Sequence, residues 1–298
     1  EHQTHTTRSE VLSFEEITKI VSIFAKLGVT KVRLTGGEPL LRKNILDLTK
    51  MLGNINGLTD IPLSTNAHLL ASFAAKLKDH GINRANISID SLIPKRFTEI
   101  TRNGDLTKVL KGIDTAIAVG MSPIKLNMVV MKGINDDEIE SMIDFAIDRA
   151  VDIRFIETMP VGLAGIGAVD RHYSEKEILE RVYKKIGEKL VSTTTKQTDG
   201  PAKPMLIDGT NTSVATISAV SNHFCNSCNR VRLTAKGDLI LCLGQENSIS
   251  LRDAVRSSMS DEEINNLIIN AINKKPEKHF FSSVIDNISD QQMVEIGG

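Results

Sequence analysis

The sequence contains no tryptophan, two tyrosines and only three cysteines among its 298 residues. It has no run of about eighteen apolar residues, so we expect no transmembrane helix. The net charge is −1, because 36 basic side chains are balanced by 37 acidic ones. No overall field therefore favours nucleic acid or an anionic membrane as a partner. An odd, clustered set of cysteines argues against a secreted disulfide framework and indicates a reducing compartment.

The amino-terminal residues 1–10 lack an initiator methionine, a signal-peptide core and an arginine-rich transit pattern. We therefore expect the chain to start inside a longer reading frame or to be processed. Apolar residues make up 41% and charged residues 24%, as in an ordinary globular protein. The length allows one large α/β domain with an appendage.

A strand-then-helix pattern repeats along the first two thirds of the chain. Five such units in series predict a parallel sheet with right-handed crossovers, either open or rolled into a barrel. Ligands of such sheets bind at the carboxyl ends of the strands. Asn66 or Asp90 alone is typical of a turn or a helix cap. Polar residues nevertheless follow successive strands and predict a pocket, at 35–38, 64–66, Ser88, Asp90 and 157–159.

All three cysteines lie within eighteen residues, as Cys225, Cys228 and Cys242 in the pattern C-x2-C-x13-C. The two-residue gap allows a tight turn to aim two sulfurs at one centre. The segment 233–241, with its turn at 237–238, can return the third cysteine as a hairpin. This spacing predicts a metal or iron-sulfur site.

Three thiolates leave the nature of that site open. Structural zinc usually has four protein ligands, whereas a cubane cluster held by three would keep one iron free for substrate. Arg230 and Arg232, two positions apart on an extended segment, would point the same way and offer planar forks to phosphate or carboxylate. A zinc ribbon completed by His223, or three unrelated thiols, are the alternatives that the spacing does not exclude.

Several further segments carry a resemblance to a known family. Residues 31–40 read KVRLTGGEPL, and NISID, VMKGIND, RFIE and FCNSCNRVR stand at 86–90, 130–136, 154–157 and 224–232. With the Gly297-Gly298 end, these segments resemble the GTP 3',8-cyclases of molybdenum cofactor biosynthesis, which are radical S-adenosylmethionine enzymes. The similarity runs from about Leu12 to the carboxyl terminus.

The resemblance implies a partial α/β barrel of the radical S-adenosylmethionine type over residues 11–190. A carboxyl-terminal extension over residues 191–298 would carry a 4Fe-4S cluster. The S-adenosylmethionine site would include Gly36, Gly37, Ser88 and Met159. GTP would contact Arg33, Ser64, Lys125, Arg230 and Arg232, helped by Lys31 and Arg154. The cluster would be held by Cys225, Cys228 and Cys242, with its open iron meeting the guanine ring.

The family reaction starts when a first 4Fe-4S cluster reduces S-adenosylmethionine to give a 5'-deoxyadenosyl radical. That radical removes the C3' hydrogen of GTP, and the sugar radical attacks C8 of guanine. The resemblance implies this lyase activity, with positioning rather than acid-base work by side chains. It also implies a homodimer and delivery of the product, (8S)-3',8-cyclo-7,8-dihydroguanosine 5'-triphosphate, to cyclic pyranopterin monophosphate synthase. The sequence details look closer to eukaryotic than to bacterial relatives and so favour the mitochondrial matrix, with the cytoplasm as the compartment of a source that is not eukaryotic.

One part of the family pattern is missing from this sequence. The first cluster requires a C-x3-C-x2-C loop, and the three cysteines present are all in the later motif. This sequence alone is therefore expected to bind GTP and one cluster but not to generate the radical. We expect it to be a piece of a longer protein. The rival hypothesis is a noncatalytic module that binds GTP, zinc or an iron-sulfur cluster.

Overall fold

Helices and strands alternate through the amino-terminal part of this computed structural model, which describes residues 9–159, 170–192, 200–218, 220–221, 228–242 and 248–275. This order confirms the α/β class. The first strands are β1 (Leu63–Thr65), β2 (Ala85–Ser88), β3 (Ile124–Val130) and β4 (Asp152–Glu157). The helices around them are α1 (Phe14–Lys26), α2 (Ile45–Gly53), α3 (Leu70–Asp79), α4 (Pro94–Thr101), α5 (Leu106–Ala118), α6 (Ile139–Asp148) and α7 (Glu175–Ile186).

The sheet is parallel from β1 through β4, as the repeated pattern predicts. The sequence pattern of residues 31–35 predicts a short strand, but the structure shows isolated parallel bridges there, from Lys31 to Asp60 and from Leu34 to Leu63. Beyond β4 the sheet continues through β7 (Ser213–Ile217), β6 (Lys203–Ile207) and β5 (Leu190–Ser192). Strands β5–β7 therefore extend the barrel sheet beyond residue 190. The domain boundary at 190 stays a prediction.

Strand alternation separates an apolar face from a polar one. Leu63, Ile87, Leu126 and Phe155 are fully buried in the core between the sheet and its helices. Residues one position away along each strand project to the opposite face. That face lines the lumen of the partial barrel, so the polar residues of the strands are directed into one space.

The carboxyl-terminal region contains a small antiparallel sheet and two helices. Its elements are β8 (Arg232–Leu233), β9 (Asp238–Ile240), β10 (Ser248–Ser250), α8 (Leu251–Arg256) and α9 (Asp261–Ile272). The predicted hairpin is confirmed, but the turn at 237–238 is wrong. Asp238 already pairs in β9, because its carbonyl accepts from Thr234 N at 2.9 Å, and the turn therefore spans 234–237.

Helix α1 joins this region to the barrel. Its Ile20, Ile23 and Phe24 pack in a second core with residues of β9, α8 and α9. Arg256 of α8 donates through Nε to Glu16 Oε1 at 2.7 Å and through a terminal nitrogen to Ser9 O at 2.6 Å. The carboxyl-terminal helices thus fix the segment that enters α1. Among the described residues, no helix is long and apolar enough to cross a membrane.

Candidate functional site

The strand register places polar side chains in rows across the lumen. Asn86 of β2 is opposite Lys125 of β3, and Lys125 is opposite Asp152 of β4. Two residues further along the strands, Asn127 lies beside Arg154. Ser64 of β1 and Ser88 of β2 extend these rows as partners of Asn86 and Asn127. Residues separated by up to 90 positions in the sequence therefore share one surface.

Positive charge accumulates in this lumen. The Arg33 side chain is exposed at the surface of the lumen. The surrounding protein nevertheless removes enough water to lower the pKa of Arg33. The neighbouring charges of Arg84, Arg230 and Arg232 lower that pKa further, and Asp60 opposes them. Arg33 and the two arginines of the cysteine motif therefore lie close enough to act on one another.

Lys125 and Arg154 show the same effect more strongly. Burial, followed by the charge of Arg154, lowers the pKa of Lys125 to about 8, against the attraction of Asp152. Burial and the charges of Arg33 and Arg84 lower the pKa of Arg154 to about 10. Crowded, partly dehydrated cations are unfavourable in the free protein and become favourable when a polyanion binds.

The lowered pKa of Lys125 gives a pH-dependent prediction. A bound triphosphate favours the charged ammonium, so affinity for it should fall as pH rises through about 8. Folding stability has the opposite slope. The unfolded lysine keeps its proton up to its ordinary pKa of 10.5, so stability should rise between about pH 8 and 10.5. Nucleotide titrations and thermal unfolding across this range test both slopes, and both effects should disappear in Lys125→Met.

Two buried amide atoms without partners lie on the adjacent strands β2 and β3. Within the described part of the chain, neither Asn86 Nδ2 nor Asn127 Oδ1 has a hydrogen-bond partner. Leaving a buried polar atom unsatisfied costs about 1–3 kcal/mol. One unsatisfied donor opposite Lys125 and one unsatisfied acceptor opposite Arg154 are therefore available to a polar partner.

The loop 36–38 directly follows the segment that bridges to β1. Gly36 has φ +148°, which side chains other than glycine rarely adopt, and no atom lies within 4 Å of where its Cβ would be. Glu38 ties the loop to β1, because its carboxylate accepts from Thr65 Oγ1 at 2.8 Å and from Asn66 N at 2.7 Å. The backbone at Gly36 is thus held open at the lumen.

Asn66 and Asp90 have local roles in the described structure. Asn66 Oδ1 accepts from His68 N at 3.0 Å, which is an Asx turn. Asp90 Oδ1 accepts from Val129 N at 2.8 Å, and burial raises the pKa of Asp90 to about 6. Each side chain therefore organises the end of its strand.

Glu157, at the end of β4, organises the approach to the cysteine motif. It is 1% exposed. One carboxylate oxygen accepts from Glu175 N at 2.7 Å, and the other accepts from Val220 N at 3.1 Å and Ser221 N at 3.0 Å. The carboxylate therefore joins the barrel, the start of α7 and the segment that leads toward Cys225.

Glu157→Gln should loosen this junction. An amide cannot accept at both positions and would present N–H groups to backbone donors, so we expect a loss of about 1–3 kcal/mol in the free energy of unfolding. Denaturant unfolding and amide exchange at Val220 and Ser221 measure it. Glu180→Gln is the matched control, because the ion pair of Glu180 with Lys176 is a surface pair of about 0–1 kcal/mol. Equal losses in the two variants would contradict the assigned role.

The cysteine motif borders the cationic lumen. A terminal nitrogen of Arg230 lies 3.6 Å from Cys228 Sγ. Burial acts to raise the pKa of Cys228, but the backbone N–H of Arg230 and the charges of Arg230 and Lys275 lower it overall. Burial and Arg230 lower the pKa of Arg232, while Cys228 and Cys242 act to raise it. Both described thiols therefore lie near Arg232, and Cys225 and His223 lie outside the described residues.

Comparisons with known proteins agree with this geometry. A Radical SAM superfamily model matches residues 2–146, and a Molybdenum Cofactor Synthesis C model matches residues 151–281. The GTP 3',8-cyclase of Hydrogenovibrio crunogenus is 53% identical over 97% of this chain and 88% of that protein. The GTP 3',8-cyclase of Alkaliphilus oremlandii is 45% identical over the same shares. The chain belongs to the GTP 3',8-cyclase family.

A solved structure supports the fold of this cyclase family member. Streptococcus suis SuiB bound to S-adenosylmethionine has a TM-score of 0.60 and 17% identity, covering 92% of this chain and 70% of SuiB. Together with the parallel sheet, it confirms the radical S-adenosylmethionine type of partial barrel. The family resemblance, the cyclase function and the enzyme class are confirmed by the relatives. The ligand-contacting residues named from sequence stay predictions.

The structure brings most of those predicted residues to one place. Arg33, Ser64, Ser88 and Lys125 lie on the lumen side of the first strands, and Gly36 and Gly37 follow Arg33 in the adjoining loop. Met159 follows β4 and is half-buried. The Gly297-Gly298 end lies outside the described residues.

Sequence reasoning missed three lumen residues. Arg84, Asn86 and Asn127 were not predicted to contact a ligand, and Arg84 acts on the pKa of Arg33, Lys125 and Arg154. The alternation of side chains along a strand was the signal in the sequence. Arg84 and Asn86 lie four and two positions before Ser88, and Asn127 lies two positions after Lys125, so each faces the same side as its reference residue.

Proposed function

We propose that this cyclase binds GTP in the lumen, with the triphosphate among the crowded cations and the guanine toward the cysteine motif. The observation that carries the proposal is the electrostatic coupling of the barrel cations to the motif's arginines. Asp60 and Asp152 oppose this positive charge but leave it in excess among the described lumen groups. The cations are Arg33, Lys125, Arg154, Arg230 and Arg232, and Arg84 beside them is held in a bidentate ion pair by Asp60.

The roles of these side chains follow from their positions. The guanidinium forks and the ammonium would bind phosphate oxygens, and Ser64 would donate a hydroxyl. Asn86 and Asn127 would satisfy their amides on the nucleotide or on the cofactor. Holding ribose and guanine in fixed register is the part of the cyclisation that the protein supplies. S-adenosylmethionine and its reducing cluster supply the radical when bound.

The S-adenosylmethionine site would lie at the carboxyl ends of the strands. The open backbone at Gly36 fits close approach of a ligand, and Gly37 follows it on the exposed side. Ser88 is exposed to the lumen, and Met159 would contact the adenine side as an adaptable apolar group.

The donor set of the cysteine motif fits a 4Fe-4S cluster. Cys228 and Cys242 are half-buried, and the low pKa of Cys228 favours the thiolate that a cluster requires. Cys225 would complete the set. Arg230 and Arg232 border these thiols, so substrate bound to the arginines would reach the open iron.

Metal analysis distinguishes this proposal from a zinc module. We expect the anaerobically purified chain to contain about four iron and four sulfide per molecule. About one zinc without sulfide would support the rival ribbon. Analysis of the same samples for GTP binding shows whether the lumen is functional in either case.

The oligomeric state, the enzyme that receives the product and the compartment are also part of the proposed function. We propose a homodimer that passes its product to cyclic pyranopterin monophosphate synthase. The relatives named above are bacterial proteins, which favours the bacterial cytoplasm over a mitochondrial matrix. Light scattering tests the dimer, and consumption of the product by the synthase tests the transfer.

A further inference from the structure

Lys275, just after α9, places its ammonium against the turn between Cys228 and Arg230. Its Nζ donates to Cys228 O at 2.9 Å and to Arg230 O at 2.8 Å, and lies 3.6 Å from Cys228 Sγ. An ammonium has three hydrogens, and these acceptors use all three. Helix α9 holds the lysine there, because Ile264 and Ile268 are anchored in the second core.

This contact is not ordinary helix capping. A lysine after a helix commonly bonds the last carbonyls of that helix or extends into water. Lys275 is half-buried instead, and its acceptors lie 45 and 47 positions earlier in the sequence. Withdrawing an ammonium from water is costly unless acceptors compensate. The two carbonyls and the sulfur supply that compensation.

We infer that Lys275 is a positioning residue that aims the Cys228 sulfur and the Arg230 side chain at the same place and tunes the cluster. By binding both carbonyls of the turn, Lys275 fixes the backbone conformation from which the side chains of Cys228 and Arg230 extend. Its contact with sulfur stabilises the more negative, reduced state of a bound cluster and raises the reduction potential. The inference rests on the proposed cluster at Cys225, Cys228 and Cys242.

Three variants of the full chain test this role: Lys275→Met, Lys275→Arg and the control Lys274→Met. Lys274 is exposed and precedes Lys275 directly. In Lys275→Met we expect a more negative midpoint potential, about tenfold weaker cluster retention and weaker GTP binding. Amide exchange over residues 228–232 should become faster even without a cluster. Lys275→Arg should restore most of these properties, and Lys274→Met should match the wild type.

The outcomes distinguish the role of Lys275 from the presence of the cluster. If the wild type loads iron and sulfide, and Lys275→Met keeps its potential and its exchange rates, the role of Lys275 is wrong while the cluster stands. If the wild type binds zinc or no metal, the cluster proposal and the role of Lys275 fail together. If Lys275→Met loads no cluster, normal loading by Lys275→Arg and fast exchange in the metal-free Met variant support the role. Unchanged exchange in that variant would overturn it.

Discussion

Arg33→Met is expected to weaken GTP binding by about 10–100-fold. Hydrogen bonds to a charged group contribute about 1.5–3 kcal/mol, and Arg33 lies where barrel and motif cations meet. The loss should shrink at high salt, because screening weakens the attraction between Arg33 and the nucleotide in the wild type. Calorimetric titration of the cluster-loaded chain with GTP measures both effects.

The same substitution should not destabilise the free protein. Burial and like charges lower the pKa of Arg33, which means that its charge is unfavourable before ligand binds. Arg33→Met should therefore keep or raise the thermal midpoint while affinity falls. Arg171→Met is the control, since Arg171 is exposed at a turn, and it should change neither quantity. A lower midpoint with unchanged affinity would show that Arg33 is structural.

Cys228→Ser is expected to abolish the iron-sulfur cluster. Three thiolates are the minimum set in the motif, and serine is a poor substitute for the soft sulfur ligand that iron-sulfur clusters require. Iron should fall from about four per chain to near zero, with loss of the visible absorption band. Iron, sulfide and zinc analysis after anaerobic purification measures this.

The fold around Cys228 should survive the substitution. Serine can still accept from nearby donors, and the second core lies on Leu239, Leu251 and Ile264, away from the thiol. Circular dichroism and thermal unfolding of the metal-free proteins should therefore agree between Cys228→Ser and wild type. Ser227→Ala is the companion control and should load iron normally. Full iron content in Cys228→Ser would show that the cysteine motif does not hold the cluster.

Local sequence signals predicted the elements well where caps and alternation agree. Ser174 and Glu177 form the capping box that starts α7, and the spacing of these two residues is visible in the sequence alone. The hairpin turn was misplaced because Asp238 is a good turn residue, yet Thr234 Oγ1 accepts from Asp238 N and the backbone of both residues pairs. Tertiary pairing overrode the local preference.

The site was predictable in its cations but not in its supporting contacts. Arg33 and Lys125 were named from the family resemblance, and the bridges beside Arg33 and the strand register of Lys125 place both at the lumen. Glu157 and Lys275 act on backbone groups 63 or 64 and 45 or 47 positions away, and no local pattern specifies such partners. Residues that hold a site in place depend on the folded packing, which sequence spacing does not encode.

Pulsed electron paramagnetic resonance of the reduced, cluster-loaded chain with GTP would detect guanine next to the cluster. We expect one lumen to hold the triphosphate on its cations and to direct guanine to the cluster at Cys225, Cys228 and Cys242. With GTP labelled by ¹⁵N in the guanine ring, we predict a nitrogen coupling to the cluster that Arg33→Met weakens. Saturating GTP with no such coupling would contradict the account, because the nucleotide would then be bound away from the cluster.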